Sequence, residues 1–230
     1  MNFSMLYYTK EHDKIHRKFH LTNEIQYNQM NKPGQKITGI LLAGGMSSRM
    51  GREKGSMLIG KRMMYAYPLR VLESVCDEIL ISSCRSLPAQ HTHTTVCDRI
   101  KGIGPMGGIH TCLEHSSTDL NIVLSYDMPM VNEGLLRYLI KQSQGWDIVV
   151  PSMQAGQVEP LCALYRKNIS EVLEELIGEN RYAVRQALPK AASLVLNIQS
   201  DMAFYHPDLF MNINSMEDLK RIPTNPGNEE

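Results

Sequence analysis

The sequence predicts an α/β protein, a mainly parallel sheet with helices on both faces, gathered in one domain. Two observations carry that reading. From Ile37 onward, short apolar runs alternate with stretches in which Leu, Val, Ile and Met recur every three to four residues, the periods of buried strands and amphipathic helices. Glycine-rich turns also punctuate the chain, at Gly44-Gly45 and from Gly102 to Gly108, where a parallel strand hands over to a helix.

In chain order, the first strand covers residues 38–42, apolar to its end and stopped by Ala43-Gly44-Gly45. Residues 63–74 form the first helix, followed by strands at 78–82 (Glu-Ile-Leu-Ile-Ser) and 94–97 (Thr-Thr-Val-Cys). A helix over 106–115 opens behind glycines, and the apolar strand 121–125 leads directly to Tyr126-Asp127. The helix at 133–142 precedes strands at 147–150 and 161–165. Helices at 169–177 and 183–188, a strand at 193–198 and a last helix at 216–221 complete the pattern. Residues 1–35 are rich in His, Lys, Asn and Tyr without apolar periodicity and read as an extension. The domain runs from 36 to 223, with 224–230 as a tail.

Composition narrows the function. Lys and Arg number 24 against 24 Asp and Glu, with a pI near 7.1, so nothing favours a nucleic-acid duplex or an anionic membrane. No apolar run is long enough for a membrane span and no secretory leader is visible; a cytoplasmic location is expected. The five cysteines, Cys76, Cys84, Cys97, Cys112 and Cys162, are scattered without CxxC spacing and are expected to be reduced and mostly buried. His91 and His93 lie on a polar loop with no carboxylate or Cys close in sequence, so a metal site there is not expected.

Three segments carry chemistry. In the first, Leu42-Ala43-Gly44-Gly45 is followed by Arg49, Gly51, Arg52 and Lys54. Glycines let backbone N–H groups approach phosphates or a base edge, and the three cations suit anions. The spacing is neither GxxxxGK[ST] nor GxGxxG, and an ordinary glycine-rich turn is the plain alternative. The second segment is Ser125-Tyr126-Asp127-Met128-Pro129. A carboxylate at the carboxyl end of a parallel strand can hold Mg²⁺ together with substrate phosphates, or can simply order a turn. The third runs from Asp98 through Gly102, Gly104, Pro105, Gly107 and Gly108, where flat backbone and a helix N-terminus could meet a nucleotide. Near the end, Asn212 and Asn214 precede a capping-box-like Ser215/Asp218 pair.

In the same order, Leu-Ala-Gly-Gly-Met-Ser-Ser-Arg-Met-Gly-Arg-Glu-Lys at 42–54, the 98–109 segment, Tyr126-Asp127-Met128-Pro129 and the 212–219 ending resemble the motifs of the molybdenum cofactor guanylyltransferases, over residues 37–222. That resemblance implies a Rossmann-like nucleotidyltransferase domain. It would transfer GMP from GTP to molybdenum-bearing molybdopterin, with Mg²⁺ as cofactor and pyrophosphate as by-product. By resemblance, Leu42, Ala43, Gly44 and Gly45 contact the nucleotide and Asp98 lies on the nucleotide side. Lys54 and Arg49 serve the phosphates, and Asp127 binds nucleotide and Mg²⁺. Asn212 and Asn214 face molybdopterin. Molybdenum-insertion proteins or apo-molybdoenzymes would be transient partners. Ser82 stands where the family often has an asparagine, Glu53 where it has Asp, and Met106-Gly107-Gly108 where it has Leu-Ala-Gly. A molybdopterin cytidylyltransferase, another small-molecule phosphate nucleotidyltransferase and a non-catalytic nucleotide-binding adaptor are the alternatives. The Leu-Ala-Gly-Gly turn favours guanine over the Leu-Ala-Ala-Gly of the cytidylyl relatives.

Overall fold

The computed structural model describes residues 35–44, 57–84, 91–154 and 157–221. The expected extension, apart from Gln35, and the tail lie outside them. Lys36–Glu230 forms one compact unit around an eight-stranded sheet ordered β10-β7-β9-β6-β1-β4-β5, with β8 paired to β7. Its strands are β1 (Ile37–Leu42), β4 (Glu78–Ser82), β5 (Thr94–Val96), β6 (Leu120–Ser125), β7 (Ile148–Gln154), β8 (Gln157–Val158), β9 (Cys162–Arg166) and β10 (Ser193–Asn197). A separate antiparallel pair, β2 (Leu58–Ile59) and β3 (Arg62–Met63), precedes the first helix. It takes the start of the stretch expected to be helical from 63. The helices are α1 (Ala66–Glu73), α2 (Pro105–His115), α3 (Glu133–Lys141), α4 (Ile169–Gly178) and α5 (Met216–Arg221); Val184–Lys190 is a 3₁₀ helix.

The expected mainly parallel sheet, covered on both faces, is present. All residues of β1 and β6 are buried, so their sequences are mostly apolar without alternation, Thr38, Asn121 and Ser125 excepted, as suits strands covered on both sides. Successive side chains serve opposite faces. Leu41, Ile79, Ile81, Ile122 and Leu124 pack with Leu69 and Leu72 of α1 and Leu135, Leu136 and Leu139 of α3. Ile40, Leu42, Leu80 and Val123 pack with Ile109 and Leu113 of α2 and Leu173 and Leu176 of α4. Two strands are reversed: β9 lies antiparallel between β6 and β7, and the short β8 pairs antiparallel with β7. Only residues 155–161 separate β7 from β9, too few for the crossover that a parallel neighbour requires.

The register positions the site. Parallel pairing aligns Leu42 with both Ser82 and Ser125, and Ser82 with Val96. The carboxyl ends of β5, β4, β1 and β6 therefore form one level row, and whatever follows each strand meets its neighbours.

Pairing of β4 with β5 also corrects the expectation of five reduced cysteines. The Ser83 amide donates to the Val96 carbonyl at 2.9 Å, which carries the two chains one step past the ladder and brings Cys84 and Cys97 to a Cα separation of 4.3 Å, joined as a disulfide. Spacing in sequence did not reveal this because the proximity comes from adjacent strands. Cys112 and Cys162 are buried and Cys76 half-buried. Burial, aided by the nearby acids Asp77 and Asp98, pushes the Cys76 and Cys112 thiols up to about 12, which suits inert packing groups.

Candidate active site

The row of strand ends is stitched by backbone hydrogen bonds. The Ala43 amide donates to the Ser82 carbonyl at 3.0 Å, the Tyr126 amide to the Leu42 carbonyl at 3.1 Å, and the Ser125 amide to the Leu161 carbonyl at 2.9 Å. The turns leaving β4, β1 and β6 and the chain entering β9 are thus held in a fixed order.

On one side of β1 stands Asp98. The Ser82 hydroxyl donates to its Oδ1 at 2.9 Å, and a Cβ added to Gly44 would lie 3.7 Å from its Oδ2. Gly44 and Asp98 therefore border the same space, one offering backbone and the other charge. The loop between Asp98 and α2 needs its glycines. Gly102 has φ +83 and Gly104 φ +68, values that L side chains rarely adopt. Gly104 caps α2 with no side chain, and Pro105 fills its first position, which leaves early N–H groups of α2 without side-chain acceptors. Further along, a Cβ on Gly108 would come within 2.3 Å of the Ser82 hydroxyl. That absence of bulk lets α2 close onto β4 beside Asp98. Arg99 pairs with Glu114, its Nη1 donating to both carboxylate oxygens at 2.8 and 2.9 Å.

On the other side of β1 is Asp127. The Ser125 hydroxyl donates to its Oδ1 at 2.6 Å, fixing the carboxylate while its other oxygen stays available. Its backbone carbonyl accepts from the Ile213 amide at 2.9 Å. Tyr126 is buried between these turns, and burial followed by the Asp127 charge pushes its phenol up to about 12. The expected ending is also present. Asp218 accepts from the amides of Asn214 and Ser215 and from the Ser215 hydroxyl, while the Asp218 amide donates to Ser215 Oγ. This is the reciprocal capping box. Asn212 and Asn214 are exposed on either side of buried Ile213, whose amide reaches the Asp127 turn.

The structure thus brings Leu42, Ala43, Gly44, Asp98 and Asp127 to one rim and sets Asn212 and Asn214 on a segment tied to it. Gly45, Arg49 and Lys54 lie outside the described residues. Ser82, which the resemblance left without a role, is a buried support for Asp98. Ser125 was quoted only as part of a motif; its spacing of two residues from Asp127 was the available signal. His91 and His93 stack with ring centroids 6.1 Å apart, and His93 pairs with Glu73 at 2.8 Å, a carboxylate distant in sequence.

For a metal, Asp127 is the candidate. No group of three or more His, Cys, Asp and Glu side chains suited to an ion occurs among the described residues. One hard carboxylate oxygen fits Mg²⁺ that takes its remaining ligands from phosphates and water, not an ion caged by protein.

A mainly parallel sheet whose level carboxyl ends present a glycine turn and two separated aspartates defines a nucleotidyltransferase-type α/β enzyme. Comparison with known proteins makes this specific. Residues 39–192 match the MobA-like NTP transferase domain. A probable molybdenum cofactor guanylyltransferase of Flavobacterium johnsoniae is 30% identical over 195 residues, covering 83% of this chain and 98% of that one. One from Pelotomaculum thermopropionicum is 32% identical over 80% of this chain and 90% of its own. Among solved structures, the molybdopterin-guanine dinucleotide biosynthesis protein A of Archaeoglobus fulgidus superposes with a TM-score of 0.68 at 25% identity, covering 80% of this chain and 95% of that one. The 2-C-methyl-D-erythritol 4-phosphate cytidylyltransferase of Thermus thermophilus shares the fold at 15% identity, with a TM-score of 0.59 over 79% of this chain and 95% of its own. The chain belongs to the MobA-like NTP transferase family and is a nucleotidyltransferase of the molybdenum cofactor guanylyltransferase group.

Proposed function

We propose that the enzyme transfers GMP from GTP to molybdenum-bearing molybdopterin. A terminal phosphate oxygen of molybdopterin attacks the α-phosphorus of GTP. The new P–O bond forms as the bond to the β-phosphate oxygen breaks, and pyrophosphate leaves with the electron pair. The observation that carries this reading is the level rim, where the Gly44 turn and Asp98 lie on one side of β1 and Asp127 lies on the other. Nucleotide and acceptor can then meet over the Ser125–Asp127 turn from opposite sides.

Roles follow from placement for the described residues and from the sequence for Arg49 and Lys54. The backbone of Leu42, Ala43 and Gly44 receives the base and ribose, with Asp98 oriented by Ser82 accepting from nucleotide N–H or O–H donors. Asp127, oriented by Ser125, holds Mg²⁺, which supplies charge neutralisation at the phosphates. Arg49 and Lys54 are assigned to the charge that grows on pyrophosphate, a contribution of about 4 kcal/mol per close charge pair at an effective dielectric near 20. Asn212 and Asn214 belong to the acceptor side.

Turnover with molybdopterin, Mg²⁺ and each of GTP, CTP, ATP and UTP tests the proposal, with pyrophosphate and dinucleotide both measured. GTP is expected to exceed CTP and ATP in kcat/KM by more than about a hundredfold, because a site that hydrogen-bonds one base leaves its groups unpaired against another. Equal use of CTP would make the enzyme a cytidylyltransferase. Nucleotide binding without pyrophosphate release would make it an adaptor.

A further inference from the structure

Across β6 from the Gly44 turn, a cavity of about 250 Å³ opens at the same rim. Met153, Phe210 and Met211 give it apolar walls, and Gln157, Glu159 and Asp208 are its polar groups. Both walls are tied to the catalytic turn. The Ser125 amide bonds to Leu161, two residues after Glu159, and the Asp127 carbonyl bonds to Ile213, two residues after Met211. Two residues of extended chain span about 7 Å, so one small molecule can reach from this cavity to Asp127.

Glu159 is half-buried, and burial pushes its carboxyl above the usual carboxylate range. No described cation or donor side chain answers it; Asp208, by contrast, has His206 3.9 Å away. A partly desolvated carboxylate without donors gains most from a ligand that supplies two parallel N–H groups. Thioether sulfurs beside it favour a flat aromatic ring.

We infer that this cavity seats the pterin ring of the acceptor, Glu159 accepting from the 2-amino group and the adjacent ring N–H together. The inference rests on the acceptor reading given under the proposed function. Guanine carries the same 2-amino-4-oxopyrimidine edge, but the nucleotide is placed on the opposite flank, by Gly44 and Asp98, so the pterin takes this pocket.

Fluorescence titration with 6-hydroxymethylpterin, compared between wild type and Glu159→Gln, tests it. The amide keeps the size but presents one acceptor where the carboxylate had two, so the probe's Kd should rise at least about tenfold while the Kd for Mg-GTP stays the same. Unchanged pterin affinity, or loss of GTP affinity instead, overturns the assignment. A second measurement uses wild type alone. Saturating 6-hydroxymethylpterin should slow amide exchange in residues 157–162 and 207–213 and not in 98–108, with GTP doing the reverse; pterin protection confined to 98–108 also overturns it. If wild type forms no dinucleotide yet binds pterin through Glu159, the proposed reaction falls and the pocket stands.

Discussion

The two flanks of the rim are built differently. On the β5-β4-β1 flank, strands run parallel and the side chains lock one another: Ser82 holds Asp98, Gly108 admits α2 against Ser82, and Cys84 joins Cys97. On the β9-β7 flank, a reversed strand and the irregular 207–213 stretch surround a cavity with an unanswered carboxylate. The first flank is braced by its own side chains, a fixed base on which the proposed reading seats the nucleotide. The second retains unspent hydrogen-bonding capacity, which is where selection of the other reactant belongs. Asp127 stands at the seam.

Substitution at the seam should cost most. Asp127→Asn keeps the bond from Ser125 but removes the charge proposed to hold Mg²⁺, so kcat should fall at least about a hundredfold, equivalent to roughly 2.7 kcal/mol of barrier, with melting temperature unchanged. Near wild-type turnover in Mg²⁺ would remove Asp127 from the site. Next comes the brace of the nucleotide flank. A bond closing a loop of 13 residues contributes about 3 kcal/mol in the chain-entropy account, so Cys97→Ser should melt several degrees lower and weaken GTP more than pterin. Wild type that melts identically with and without dithiothreitol would contradict this.

A smaller effect tests the fit of α2. Gly108→Ala forces the Ser82 hydroxyl to rotate away from Asp98, at a cost of about 1–2 kcal/mol, and should raise the Kd for GTP. Combining it with Ser82→Ala removes the clash, so the double variant should be more stable than the sum of the two changes; simple additivity would show that the contact is relaxed in solution. The smallest effect is at the capping box. The Asn214 amide, then the Ser215 hydroxyl, hold Asp218 below its ordinary value of 3.8. A depressed carboxylate stabilises the fold above its ordinary value and loses that contribution as pH falls through the folded one. Ser215→Ala should therefore lower stability slightly at neutral pH, read by circular dichroism during denaturant unfolding, with the difference from wild type shrinking as pH falls through the folded value of Asp218.

The same contrast explains what could be read from sequence. Strands buried on both faces, such as 37–42 and 120–125, are mostly apolar without alternation and announce themselves, and glycines with forced backbone, Gly102 and Gly104, mark the turns between them. The aspartates that follow strands, Asp98 and Asp127, were visible because position after a strand end is itself the signal. Direction was not carried by composition, since a strand covered on both faces reads the same either way; its signal was the connection from 150 to 161, too short for a crossover helix. The Cys84–Cys97 bond and the Glu159 cavity depend on neighbours in space alone, and the 207–213 stretch lacks any period. Arg49 and Lys54 remain expectations from sequence.

The hydrogen bond from Ile213 to the Asp127 carbonyl also sets a condition on synthesis. A ribosome-bound chain that has emerged through β6 already carries every strand of the β5-β4-β1 flank, yet the Asp127 carbonyl lacks the amide it accepts from until residue 213 has followed. The turn bearing Asp127 is therefore completed only after β7, β9 and β10 of the opposite flank have been made.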